Sequence, residues 1–193
     1  MSKTNKKNKR DITQLERCNS FAMITHLILA VVMSIAYIAE VFIGNRTWGY
    51  SLIVSALALL PPIIEMYLFF MVNRESKLIK HVLGYGFGLL YSVVIFTAQQ
   101  QLVFTYVIPM ILIISVYNDL KYKLKINIAM ILENVVVVFL GMKTGGFGYT
   151  NMAAAEIQLF IMVILGIYSI GMTQILTANE AQKLRLIEDE KVK

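Results

Sequence analysis

The chain has 193 residues, of which 58% are hydrophobic and only 16% charged, with a mean hydropathy of +0.66 and a formal net charge of +6. Soluble domains carry roughly a quarter charged residues, so this composition excludes a disordered chain, argues against a water-soluble globule and points to a membrane protein. Spans of about 20 apolar residues leave almost no chain for a soluble catalytic domain. The one cysteine, Cys18, excludes an intramolecular disulfide framework and a thiol zinc site.

In chain order, residues 1–19 form a basic segment with Lys3, Lys6, Lys7, Lys9, Arg10 and Arg17. Six apolar stretches follow, at about residues 20–43, 50–72, 82–98, 102–117, 126–141 and 157–177. They predict an all-α integral membrane bundle of six transmembrane helices over residues 20–177. The third, fourth and fifth stretches are short, so their borders are soft. The basic start followed by an apolar run also resembles a signal peptide with Ser34-Ile35-Ala36 as its small-residue site. The run continues to Ile43, however, longer than a signal core.

Basic residues orient the bundle. Besides the first six, Arg74, Lys77 and Lys80 lie in the second connection and Lys121, Lys123 and Lys125 in the fourth. Lys183, Arg185, Lys191 and Lys193 close the chain. One side thus holds sixteen of the eighteen Lys and Arg, and the other only Arg46 and Lys143. Retention of positive charge in the cytoplasm places both termini inside, in a plasma membrane. The basic groups flank spans and meet anionic headgroups, so no nucleic-acid partner is expected. Trp48 and Tyr50 on one side, and Tyr117 and Tyr122 on the other, stand where interfacial aromatic belts belong.

Ionisable groups inside spans are costly and each is a functional hypothesis. Glu65, eight residues before Asn73, and Glu133, eight after Lys125, lie at similar depth, roughly 12 Å from the cytoplasmic edge. They are candidates to share a proton or cation; the alternative is that each is protonated and bonded to a neighbouring helix. Glu40 and Glu156 fall near the outer border. His26 reads as a polar packing contact, and with His81 the only other histidine no metal site or cofactor is expected. Pro61-Pro62 interrupts the second span and Pro109 lies mid-way along the fourth, as hinges, binding niches or packing features. Gly84-Tyr85-Gly86-Phe87-Gly88 opens a span rather than following a strand, so it is no nucleotide loop; Gly84 and Gly88 share a helix face and permit close approach. The glycine-rich outer loop at residues 141–149 lacks the lysine and helix start of a phosphate cradle. Asp119 reads as the anchor of a helix end beside Lys121. No nucleophile–base pair is visible, so the chain is not expected to be an enzyme.

Residues 178–193 are dominated by good helix formers with no glycine or proline stop. They predict a sixth helix extending into the cytoplasm, with Ala181, Leu184 and Ile187 as a weak apolar stripe. Such an exit looks like a connection to something larger; a solvated amphipathic tail is the alternative.

Six short-looped spans with a charged exit helix resemble the amino-terminal membrane region of certain bacterial methyl-accepting chemotaxis proteins. The stretches that carry the likeness are Phe104-Thr105-Tyr106-Val107-Ile108-Pro109, Val116-Tyr117-Asn118-Asp119 with the basic residues beyond it, and Thr177-Ala178-Asn179-Glu180-Ala181-Gln182-Lys183. Methylation helices and a kinase-control tip are not among these residues. The resemblance therefore implies a homodimeric input module that hands its signal to an output domain or chemotaxis machinery. With no external domain, its stimulus is expected to be membrane-borne, protonic, electrical or a small molecule held by helices and loops. The candidate sensing groups are Glu65, Glu133, Tyr106 and Pro109. A small transporter or channel, and an accessory membrane subunit, are the other readings. Inverted repeats would pair the second span with the fifth, but Glu65 and Glu133 do not correspond under that symmetry.

Overall fold

In a computed structural model, residues 13–148 and 152–192 are described. Most of the basic first segment, including Lys3 to Arg10, lies outside them. Six helices follow one another, α1 (Gln14–Ile43), α2 (Trp48–Tyr67), α3 (Leu78–Phe96), α4 (Val107–Ile114), α5 (Leu120–Thr144) and α6 (Met152–Val192). There is no strand among the described residues. A π-helical turn, Leu68–Val72, continues α2, and a 3₁₀ segment, Gln101–Tyr106, leads into α4.

Local chemistry sets the helix ends. Thr13 and Thr47 cap α1 and α2 through their hydroxyls, which accept from Glu16 N–H and Tyr50 N–H. The Asp119 carboxylate does the same for α5, accepting from Tyr122 N–H at 3.0 Å, and each cap satisfies a donor that the helix cannot. Gly44 (φ +87°) ends α1 and Gly145 (φ +69°) ends α5, both in the left-handed conformation that side chains resist.

Five of the helices are long and apolar enough to cross a membrane; α4 with its 3₁₀ lead, Gln101–Ile114, is a shorter apolar element. Large apolar side chains cover the outside, among them Ile28, Phe42, Leu52, Phe160 and Ile167, each more than half exposed. Water would penalise that surface by far more than a soluble fold can offset, whereas a bilayer accepts it. The chain is thus a multi-pass, all-α membrane protein.

All six helical segments run between the same two ends of the bundle. One end, here the basic end, gathers Thr13 (2.9 Å to Glu75), Asn19 (2.8 Å to the Arg74 carbonyl), Lys80 (2.5 Å to Asp119) and Thr177 (2.7 Å to Asn118). The far end gathers Arg46, Tyr50, Thr97, Gln99 and Gly148. The fourth segment covers this distance with few residues because 3₁₀ winding rises about 2.0 Å per residue against 1.5 Å, reaching about 24 Å. It also touches α1, α3, α5 and α6, so its backbone is shielded by protein. Pro109, expected mid-way along the fourth span, lies there, as the third residue of α4 directly after the 3₁₀ segment.

Two further borders differ from expectation. Helix α3 begins at Leu78 and α5 at Leu120, several residues earlier than the apolar runs, because helical winding continues through Lys80, Lys121, Lys123 and Lys125. Hydropathy registers where the oil begins, while the helix starts at its cap. Pro61 and Pro62 do not break α2; the Pro61 ring fits a notch at Gly86, where an added Cβ would lie 2.5 Å from Pro61 Cβ. At Gly84 the close neighbour is a side chain: a Cβ there would meet Tyr122 Oη, whose hydroxyl donates to the Lys80 carbonyl at 2.6 Å.

Candidate functional site

At the far end, α1, the α1–α2 turn and the α3–α4 connection converge on a cavity of about 80 Å³. Tyr37 and Glu40 lie one turn apart on α1, Arg46 comes from the turn, and Gln99, Gln100 and Tyr106 come from the connection and the 3₁₀ segment. The Arg46 guanidinium donates to the Thr97 carbonyl at 2.8 Å and lies 4.4 Å from the Tyr50 ring centre. Glu40 accepts from the Asn45 side chain at 2.7 Å. Arg46 and Glu40 thus line one cavity, each held by neutral partners. This is a small polar site with both signs of charge at its mouth, suited to a polar molecule of modest size.

Beneath it, Gly148 (φ +75°) packs on the connection: an added Cβ would stand 2.8 Å from Gln100 Cα and from the Gln99 carbonyl. Phe147 packs edge-on against Phe96, with ring centres 6.2 Å apart. Helix α6 starts four residues after Gly148, so the connection that lines the cavity touches the chain just before α6.

The middle of the bundle holds two buried polar groupings. His26 Nδ1 and Glu65 Oε1 are 2.7 Å apart, with side-chain exposures of 2% and 0%. Phe87 stands 6.2 Å from the imidazole, and Glu65 Oε2 has no hydrogen-bond partner among the described residues. On the other side, Asn134 Oδ1 accepts from Tyr91 (3.1 Å) and Gln158 (2.7 Å), joining α3, α5 and α6. Such bonds across helices stabilise by about 0.6 kcal/mol on average in membranes, and they fix which faces meet.

Toward the basic end Lys123, 1% exposed, donates to the Ser115 carbonyl at 3.1 Å and to Thr173 Oγ1. Lys80 and the Tyr122 N–H hold the Asp119 carboxyl below its ordinary range.

The structure separates the two glutamates predicted to share an ion. Glu65 is bound to His26 between α1 and α2, whereas Glu133 is half-buried on α5 on the side of Ser92 of α3. Equal depth did not mean equal azimuth: each carboxyl points into a different helix seam. His26 makes a polar packing contact, as expected, and its partner is Glu65. Asp119 pairs with Lys80 rather than Lys121, because residue 121 points outward two positions after the cap. Tyr106 does line the cavity, and Pro109 stands one turn below it. Tyr37, Arg46 and Gln99 were missed; the only hint was that polar residues cluster in otherwise apolar outer connections. In α6, Ala181 and Ile187 are exposed, and the Leu184 side chain lies outside the described ones. Among the described residues no cluster of His, Cys, Asp or Glu could hold a metal ion.

No family model matches the chain, and no curated protein or solved structure matches it.

Proposed function

We propose that this chain is the sensory input unit of a bacterial plasma-membrane receptor of the chemotaxis type, binding a small polar molecule at the far-end cavity and passing the signal out through α6. In this reading all six segments span the bilayer, the basic end and both termini are cytoplasmic, the working form is a homodimer, and the chain has no catalytic activity of its own. The observation that carries it is α6: 41 residues of unbroken helix that begin four residues after Gly148, which packs on Gln99–Gln100. Fifteen of those residues follow Thr177, the last among the described residues to bond to the bundle, and at 1.5 Å each they project about 22 Å beyond the basic end.

Occupancy of the cavity would favour one placing of Gln99–Gln100. Because Gly148 leaves no gap there, that placing biases the root of α6 between two positions, and a stiff helix delivers the difference at its other end. Such a shift needs only a differential affinity for the two states.

The test is a fusion of the chain to the signalling domain of a chemotaxis receptor, with kinase control as output. Tyr106→Phe and Arg46→Gln are expected to alter the stimulus response while membrane insertion stays intact. An output indifferent to both variants would remove the cavity from signalling. A carboxy-terminal reporter active only outside the cell would overturn the topology.

The His26–Glu65 pair favours a second reading, proton-coupled transport, since a buried acid–imidazole pair can carry a proton. Proton flux in liposomes that Glu65→Gln abolishes would bring it forward; an accessory scaffold would show neither behaviour.

A further inference from the structure

We infer that the cleft between α1 and the π-helical end of α2 is a binding site for one anionic glycerophospholipid of the leaflet at the basic end. This leaflet is the inner one under the orientation proposed above.

At the basic end the two helices separate around a cleft of about 660 Å³. Its lower walls are apolar, with Phe21, Ile24 and Leu27 on α1 facing Phe69 at the end of α2. Its rim carries Arg17 and Arg74. The π turn shapes it: the Asn73 N–H donates to the Leu68 carbonyl at 2.9 Å, five residues back, which widens the helix where Phe69 turns inward. Arg74 is then held above the apolar wall, its guanidinium 5.6 Å from the Phe69 ring centre. Glu16 Oε1 fixes one nitrogen at 3.2 Å, and about half of the Arg74 side chain stays exposed. A guanidinium has five donors in a planar fork, so that single contact leaves donors for a phosphate.

The occupant follows from these chemistries. An acyl chain fits a slot of aliphatic and aromatic walls that opens to the lipid side. A phosphodiester fits two guanidinium groups at headgroup height, which neutralise more charge than Glu16 contributes. A free phosphate would use the rim but leave the slot unfilled, and a zwitterionic lipid would fill the slot but bring a choline group against the arginines. The rim also reaches inward: Asn19 donates to the Arg74 and Ser76 carbonyls and accepts from Tyr117 OH at 2.9 Å. An occupied rim is therefore wired to the end of the fourth segment.

The experiment is native mass spectrometry of the purified full chain titrated with phosphatidylglycerol or phosphatidylcholine of the same acyl chains. One tightly held phosphatidylglycerol is expected, with phosphatidylcholine much weaker. Each arginine at a headgroup contributes about fivefold, so Arg17→Gln with Arg74→Gln lowers phosphatidylglycerol affinity about thirtyfold. Ile24→Trp, which fills the slot and leaves the rim intact, is expected to expel the lipid too. Lys121→Gln with Lys125→Gln, at the same end but away from the cleft, keeps it. Equal retention of both lipids, or equal losses in the lysine and arginine variants, would reduce the effect to general surface charge and overturn the site. So would displacement by excess inorganic phosphate, or an Ile24→Trp variant that still holds the lipid. Because both leaflets are accessible in this assay, a wrong orientation does not affect its outcome.

Discussion

The pairing of His26 with Glu65 makes a quantitative prediction about which half of the pair is needed. The two atoms lie 2.7 Å apart and both side chains are buried. His26→Ala removes the only hydrogen-bond partner found for Glu65 among the described residues and leaves an imidazole-sized gap against Phe87. Breaking a buried charged pair from one side costs about 3–5 kcal/mol, and a hydrogen bond to a charged group alone about 1.5–3 kcal/mol. Glu65→Gln behaves differently. Its amide oxygen can still accept from His26 Nδ1–H, its shape is unchanged, and only the charge assistance is lost, at about 1 kcal/mol. The expected gap is therefore about 2 kcal/mol or more. Reversible unfolding in mixed micelles, read by helical circular dichroism, measures it. A Glu65→Gln variant as damaged as His26→Ala would mean that the ionised carboxylate itself is required. If both variants were as stable as the parent, the pair would hold nothing together.

Other outcomes follow from named contacts. Gly84→Ala places a methyl group on Tyr122 Oη, so the ring must leave and its bond to the Lys80 carbonyl is lost; a cost of about 1–3 kcal/mol is expected in the same assay. Asp119, held below its ordinary range by Lys80, contributes stability that is complete above the unfolded-state pKa and lost as pH falls through the folded one. The bundle should weaken from about pH 5 downward, and Asp119→Asn, which keeps a capping side chain, should flatten that part of the profile. Thr173→Val takes one acceptor from buried Lys123 and should cost about 1–3 kcal/mol. Lys123→Met, which removes the charge together with its need for acceptors, should be close to neutral. The reverse order would mean that the ammonium has a partner of greater worth than Thr173.

Much of the architecture was legible because composition and basic asymmetry speak directly about oil and water. Six apolar runs became six helical segments, and the glycine-free stretch after Thr177 is indeed continuous helix. What failed was anything that depends on azimuth. Hydropathy windows average over the 100° steps of a helix, so they place Glu65 and Glu133 at one depth without saying that they face different seams. They likewise could not pair His26 with a residue 39 positions away. The start of α5 was misplaced for another reason: charged lysines look like loop, yet Lys121, Lys123 and Lys125 are good helix formers behind an aspartate cap. The cavity was half visible. Tyr106 stood out within its segment, but Tyr37 meets it from a distant part of the sequence, on α1, and Arg46 only because Gly44 turns the chain back at the far end.

The winding of the fourth segment has a mechanical consequence. Rewound as α-helix, Gln101–Tyr106 would be shorter by about 0.5 Å per residue, or about 3 Å in all. The other end of that segment is anchored, since Tyr117 is bonded to Asn19 and Cys18 donates its thiol hydrogen to the Val116 carbonyl. The whole retraction would therefore fall on Gln99–Gln100, drawing them inward and off Gly148. A single change of helical pitch would open the joint beside the root of α6, with no helix having to tilt.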